Sequence, residues 1–200
     1  LAVGLAVFIL IMLFVRTELG YDRYHANAKN IYRVVQEQPG NVYLGSNVFA
    51  VTPGPLAAAM SRDFPEVLKA AHIDDWSNVL VNVGDKNFLE KSVHWTDPQT
   101  FEIFTFPIVR GDGSAGLKDP SSVLLSERAA RRYFGDSDPI GRIVGLQLFA
   151  MKADLKVAGV FRDIPANSHF TMDVVAPFET MAKLQENDLT VWDNSSYYTY

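Results

Sequence analysis

The first fifteen residues, LAVGLAVFILIMLFV, carry no charge, no hydrogen-bonding side chain and no proline, and Arg16 ends the run. A stretch this apolar has no reason to sit at the end of a soluble domain, so it reads as membrane helix. At about 1.5 Å per residue it spans roughly 22 Å, whereas a hydrocarbon core is roughly 30 Å thick and needs about 20 residues. The chain opens on Leu, and the helix is expected to start upstream of it. A secretory signal peptide would want a small-x-small cleavage site behind the run, and Arg16-Thr17-Glu18-Leu19 offers none. The other rival is a buried core helix.

Two hundred residues allow one large domain or two small ones, and 48% hydrophobic residues can bury a real core. Aromatic residues at 12% argue against disorder. The net charge of −5 is mild, and no basic stripe or lysine run points to nucleic acid. With no cysteine, disulfides and thiolate metal sites are excluded. No low-complexity tract or repeat of 20–50 residues is apparent.

Beyond the run, Tyr21, Tyr24, Ala28 and Ile31 recur at helical spacing with polar residues between them. This predicts an amphipathic stalk that continues the membrane helix and docks on the domain, although Gly20 weakens the continuity. IYRVVQE from Ile31 is rich in β-branched and aromatic residues and reads as a first strand. Pro39 to Ser46 reads as a turn or loop. Thr52-Pro53-Gly54-Pro55 starts a helix with a stripe of Leu56, Ala59, Met60 and Phe64, and Pro65 stops it.

Strands are expected at Val67–Ile73, Val79–Val83, Phe88–Trp95, Phe106–Val109, Ser122–Leu125, Ile143–Phe149, Leu155–Phe161 and Met172–Ala176. Asp97-Pro98 opens a turn or short helix through Phe104, and helix resumes near Phe178. Ser126 is placed to cap a helix from Glu127 to Phe134, which Gly135 ends. The mixture is α+β, with two βαβ-like halves. Thr190 to Tyr200 has no natural stop, so the C-terminus is also expected to be cut.

Motifs that could carry chemistry have plainer readings. Gly111-Asp-Gly-Ser-Ala-Gly116-Leu117-Lys118 resembles a phosphate-binding loop, but that loop needs Lys directly after the second Gly, then Ser or Thr. A surface loop is the better reading. His25, His72, His94 and His169 are scattered, with no HExxH spacing. Asp74-Asp75 and Asp136-Ser-Asp138 are carboxylate pairs that turn chemistry explains, and a calcium loop would need a longer alternation of oxygen ligands. No G-x-S-x-G surrounds a serine. Arg128, Arg131 and Arg132 read as a solvated helix face, with an anionic partner as the second choice. Asn194-Ser195-Ser196 is a glycosylation sequon by pattern. Nothing assembles a nucleophile, base and orienting group; no catalytic, cofactor-binding or metal residue is assigned.

Four blocks in register carry a resemblance. Glu18-Leu-Gly-Tyr21-Asp22-Arg-Tyr-His25-x-Asn27-Ala28-x-x-Ile31-Tyr32-Arg33-Val34 resembles the segment after the first membrane helix of MacB/FtsX-like ABC-transporter permeases. Phe64-Pro65-Glu66-Val67 resembles an element after that family's first periplasmic helix. The most specific block runs from Ser122 through Ser126, Ala130, Phe134-Gly135 and Pro139 to Gly141. Val157-Ala-Gly159-Val160 through Asp163, Pro165, Asn167-Ser168-His169-Phe170 follows in the family's order. Gly135 and Gly141 bracket a turn and Gly159 allows close strand packing, so these read as fold residues.

The resemblance implies a partial transmembrane helix at residues 1–16, an amphipathic stalk at 17–30 and a MacB-like periplasmic core domain at 31–200. That domain would have a porter-like α/β part and a second inserted lobe. It implies a bacterial inner-membrane permease of four membrane helices, with the chain in the periplasm after about residue 17. Partners would be an ATP-binding subunit or domain, a second permease copy in a homodimer or heterodimer, and a periplasmic adaptor or membrane-fusion protein. ATP hydrolysis would lie on a cytoplasmic nucleotide-binding domain, leaving this portion without catalysis or cofactor. Its role would be to couple hydrolysis to export or mechanotransmission. Two other classes stay open. One is the ligand-binding domain of a membrane receptor or sensor kinase, and the other is a membrane-anchored exported hydrolase.

Overall fold

A computed structural model describes residues 1–41, 45–91, 93–186 and 189–200. The apolar run forms α1 (Ala2–Leu19), which buries none of its residues against the rest of the chain. At about 1.5 Å per residue it is about 27 Å long, close to the thickness of a hydrocarbon core. Among the described residues it is the one helix long and apolar enough to cross a membrane.

The helix does not continue into the stalk. The Gly20 N–H closes back on the Arg16 and Thr17 carbonyls, and turns follow to a short 3-10 segment at Ala28–Asn30. Asp22 takes φ +56°, which stops α-helix at that point. The helical spacing of Tyr21, Tyr24 and Ala28 thus arises in a folded loop. The expected strand at IYRVVQE shrinks to β1 (Gln36–Glu37), paired with β2 (Val48–Phe49). Of the loop expected at Pro39–Ser46, residues 42–44 lie outside the described ones.

β3 (Val51–Pro53) leads to α2 (Leu56–Asp63), with Pro55 at its N-cap. The strand expected at Val67–Ile73 lies later, as β4 (His72–Trp76), because a Val67 N–H to Phe64 carbonyl turn follows Pro65. β5 (Val79–Val83) and β6 (Lys86–Glu90) form a hairpin; β7 (Val93–Thr96), α3 (Thr100–Ile103) and β8 (Ile108–Gly111) come next. β9 (Ser122–Ser126) runs straight into α4 (Glu127–Phe134). There the Ser126 hydroxyl accepts the Ala129 N–H at 3.0 Å, and Gly135 closes the helix at φ +61°. The chain ends with β10 (Ile143–Leu148), β11 (Met151–Phe161), β12 (Val174–Pro177), α5 (Phe178–Leu184) and β13 (Ser195–Thr199).

One mixed sheet joins these strands in the order β3-β13-β4-β7-β12-β9-β11-β10-β5-β6, with β8 also on β11. β9/β11 and β7/β12 are the parallel pairings, and the former spans α4 as a βαβ-like unit. The 11-residue β11 is the spine. Its first half pairs with β10 and its second half with β9 and β8, and the register slips between Val157 and Gly159.

Side chains alternate across the sheet. Val123 and Leu125 face one core with Val81, Trp95, Val144, Val174 and the α4 and α5 residues Ala129, Tyr133 and Met181. Leu124 and Val175 face the other, built from Phe104, Phe106, Leu117, Phe161, Phe170 and Met172. That second core lies under α3, the 3-10 turn Gly116–Lys118 and the loop that follows α1.

Candidate functional site

The residues just after α1 do not hang free. They are bound to the turn between β11 and β12, about 147 positions away in sequence. Asn167 donates its side-chain amide to the Gly20 carbonyl at 3.0 Å, and the Asp22 N–H donates to the Asn167 carbonyl at 2.9 Å. The Asp22 carboxylate accepts the His169 backbone N–H at 3.0 Å and meets its Nδ1 at 2.7 Å. The His169 Nε2 lies 3.1 Å from the Tyr200 hydroxyl. Tyr21 donates to the Ser168 carbonyl and Tyr24 shares a hydrogen bond with the Ser168 hydroxyl, each at 2.9 Å. The φ of +56° at Asp22 aims its carboxylate at this turn; Asp tolerates that conformation better than most residues.

His25 pins the other side of the loop. It is 5% exposed and packs edge-on against Phe104 and Phe106 at 5.1 and 5.6 Å between centroids. The Thr105 N–H donates to His25 Nδ1 at 3.0 Å, while the Ala26 N–H donates to the Thr105 hydroxyl at 2.8 Å. A ring that accepts at Nδ1 holds its proton on Nε2 when neutral. That Nε2 is buried without a partner among the described residues. Burial pushes the imidazole below its usual pKa, with nearby His169 adding to the effect and Asp22 opposing it. The arrangement is a clasp: six residues after α1 are tied by side chains and backbone to both edges of the second core.

Beside the clasp an open cleft of about 900 Å³ is lined by Arg23, Lys29, Arg33, Phe104, His169 and Tyr200 among others. Burial raises the Tyr200 hydroxyl pKa, with the Arg33 side chain working against it.

The other candidate residues fall elsewhere. His72 stacks on Phe178 at 4.7 Å and holds Asp97 at 2.8 Å. His94 is buried in β7, and burial takes its pKa down to about 4. Asp74 donates nothing in its ionised form and accepts from the Trp76 indole at 3.1 Å; burial pushes it up to about 6. Asp138 caps its own turn through the Ile140 N–H, and Ser196 donates to the Asn194 side chain in the sequon. Among the described residues no three His, Asp or Glu gather as a metal site.

The α4 arginines form an exposed face, as expected, and each also meets a carboxylate of the chain itself. Arg128 pairs with Asp173 at 2.9 Å, Arg131 with Asp163 at 3.1 Å, and Arg132 with buried Glu90 at 2.5 Å. The phosphate-loop look-alike also has a structural role. Gly111 lies opposite Gly159, and a Cβ on either would come within 2.2 Å of a backbone oxygen across the pair.

The clasp was half legible in sequence. Tyr21 and Tyr24 belong to the stripe expected to dock on the domain, whereas His25 reads in sequence only as one of four scattered histidines and as part of a family block; the partners Asn167, Ser168 and Thr105 lie 79 to 147 positions away and leave no local signal.

No curated protein matches the chain. Among solved structures, a domain of a protein described as a permease from Porphyromonas gingivalis superposes with a TM-score of 0.66 at 23% identity. The match covers 82% of this chain and 68% of that one, and it is a likeness of fold. The periplasmic region of MacB from Actinobacillus actinomycetemcomitans matches at 19% identity and a TM-score of 0.49, over 66% of this chain and 56% of that one. The extracellular domain of the ABC-type transporter YknZ from Gram-positive bacteria matches at 13% and 0.48, over 65% and 62%. The expected α+β fold with its N-terminal apolar helix is the fold found. Residues 1–198 match the family described as the MacB-like periplasmic core domain, and by that extent of match the chain belongs to it.

Proposed function

We propose that this chain is the first membrane helix and periplasmic core domain of an ABC-transporter permease subunit, and that the clasp passes motion between the two. Residues 1–16 lie in the inner membrane, 17–30 form the connecting segment, and 31–200 form the periplasmic domain. ATP is hydrolysed on a separate nucleotide-binding subunit or domain. A second permease copy and a periplasmic adaptor complete the machine, and this portion performs no catalysis.

The observation that supports this reading most is the attachment of α1. An unburied helix of 18 residues ends at Leu19 with Gly20 as its cap, and from Gly20 to Asp22 the chain is bonded to the β11–β12 turn. A shift or tilt of α1 therefore acts on the Asn167–His169 segment that follows the spine strand, and not on a slack linker. Gly20 permits a change of direction at the joint, while Asp22 and Tyr24 hold the far side.

In the full transporter, Asp22→Asn and Tyr24→Ala should leave basal ATP hydrolysis in place. Both should lower the transport output obtained per ATP, by several-fold for the pair. An unchanged ratio would remove the clasp from the mechanism. Extending the reading frame discriminates the classes: three more apolar segments of about 20 residues after Tyr200 favour a permease, and a single one favours a receptor.

A further inference from the structure

We propose that the cleft at the helix base is a docking site for anionic phospholipid headgroups, with Arg23, Lys29 and Arg33 taking the phosphates. The proposal rests on α1 spanning the bilayer, and it adds a lipid specificity that the permease reading does not contain.

Charge is divided unevenly along the chain. Residues 1–35 hold four Lys and Arg against two acids, while the remainder holds fourteen against twenty-one. The positive portion is thus the one next to the membrane, and it stands out against an acidic domain.

Depth places these cations at the right level. The headgroup region adds roughly 5–7 Å on each side of the hydrocarbon, and Arg16 to Gly20 cover that distance at about 1.5 Å per residue. Tyr21 onward emerges at the headgroup–water boundary. Tyr21 and Tyr32, 44% and 74% exposed, are the residue type that settles there.

The side chains are available. Arg23, Lys29 and Arg33 are exposed and line the cleft, and Arg23 and Lys29 form no ion pair among the described residues. This contrasts with α4, whose arginines are taken by Asp173, Asp163 and Glu90. The Arg33 guanidinium lies 5.9 Å from the centre of the Tyr198 ring, which orients it on the cleft wall. The acid in the cleft, Asp22, is occupied by the His169 backbone and ring and opposes a phosphate less than a free carboxylate would. Cations spread along an open rim suit several headgroups of a surface better than one enclosed soluble anion.

The test uses the whole chain in nanodiscs of phosphatidylcholine, with and without phosphatidylglycerol. Amide exchange is read over residues 21–33, and co-retained lipid is read by native mass spectrometry. Phosphatidylglycerol should slow exchange in that segment and be retained over phosphatidylcholine. Each of Arg23→Gln, Lys29→Gln and Arg33→Gln should weaken retention by roughly fivefold. These exposed substitutions should leave the melting temperature in place, which separates lost binding from lost folding. Equal exchange and retention in both discs would overturn the proposal while leaving the membrane helix standing. Equal protection from inorganic phosphate in phosphatidylcholine discs would overturn it in favour of a soluble anion site. A chain that alkaline carbonate strips from the disc would sink the membrane helix and this proposal together.

Discussion

A histidine that is buried, neutral and hydrogen-bonded through Nδ1 makes the clasp sensitive to acid. The Thr105 N–H points at His25 Nδ1, so a proton added there would set two donors against each other. The charged ring would also sit among Phe104 and Phe106. Burial therefore lowers the folded-state pKa from its ordinary 6.5. The unfolded chain then binds more protons, and stability rises with pH across this window. His25 contributes fully above about pH 6.5, and its contribution is lost as pH falls toward the depressed value. The groups facing the ring from neighbouring elements are Asp22, His169 and Tyr24. His25→Phe should cost about 1–3 kcal/mol at neutral pH by stranding the Thr105 amide. Because His94 and Asp74 also titrate, the measurement is a difference: melting temperature from pH 8 to 5 should fall less in His25→Phe than in the parent. Parallel curves would show that His25 does not titrate with folding.

Between elements, the pairing of β8 with β11 gives a sharper contrast. Gly159 and Gly111 stand opposite each other where β11 slips register. A Cβ on Gly159 would lie 2.2 Å from the Asp112 carbonyl oxygen, a backbone atom that cannot swing aside. Gly135 also has an unusual backbone, at φ +61°, but nothing lies within 4 Å of its missing Cβ. Gly159→Ala should thus cost about 3 kcal/mol or more, the upper end of overpacking because a backbone oxygen blocks the Cβ, and Gly135→Ala about 1–2 kcal/mol of backbone strain alone. In a chain of this size that is a drop of about 2–4 °C in melting temperature per kcal/mol. Equal losses would mean the β8–β11 approach is softer than its geometry.

The same elements show where sequence sufficed. Ser126 to Gly135 was legible because cap, first-turn acid and terminator all lie within ten residues and act locally. Gly159 was legible as a packing residue, although its partner Gly111 was not. β13 was not expected, because Ser195–Thr199 becomes a strand only between β3 and β4, with Thr52 donating its hydroxyl to the Tyr197 carbonyl 145 residues away. The stalk misled for the opposite reason. Its helical spacing is real, but Tyr21 and Tyr24 are claimed by Ser168 and Ile31 packs on the second core, and such tertiary contacts outweigh a periodicity worth a few tenths of a kcal/mol per pair.

Over the whole molecule, the question is whether a porter-like part and an inserted lobe fold as one unit or two. The sheet argues for one. β5, β6 and β10 reach the remaining strands through β11, whose two halves pair with different neighbours without a break in the strand. The first core crosses the same line: Val79, Val81, Val144 and Leu146 pack in one cluster with Trp95, Val123, Val174 and Met181. Neither side could unfold without exposing the other's apolar face, at about 25 cal/mol for each Å² uncovered. α1 lies outside this core and buries nothing in it. Calorimetry of the chain in detergent should therefore show a single transition, with calorimetric and van't Hoff enthalpies equal. A motion entering at the clasp would then reach the sheet as a whole, since the element it pulls belongs to the same cooperative unit as every strand beyond it. Two resolved transitions, or a van't Hoff enthalpy well below the calorimetric one, would show that the β5–β6–β10 side melts alone and cannot carry such a motion.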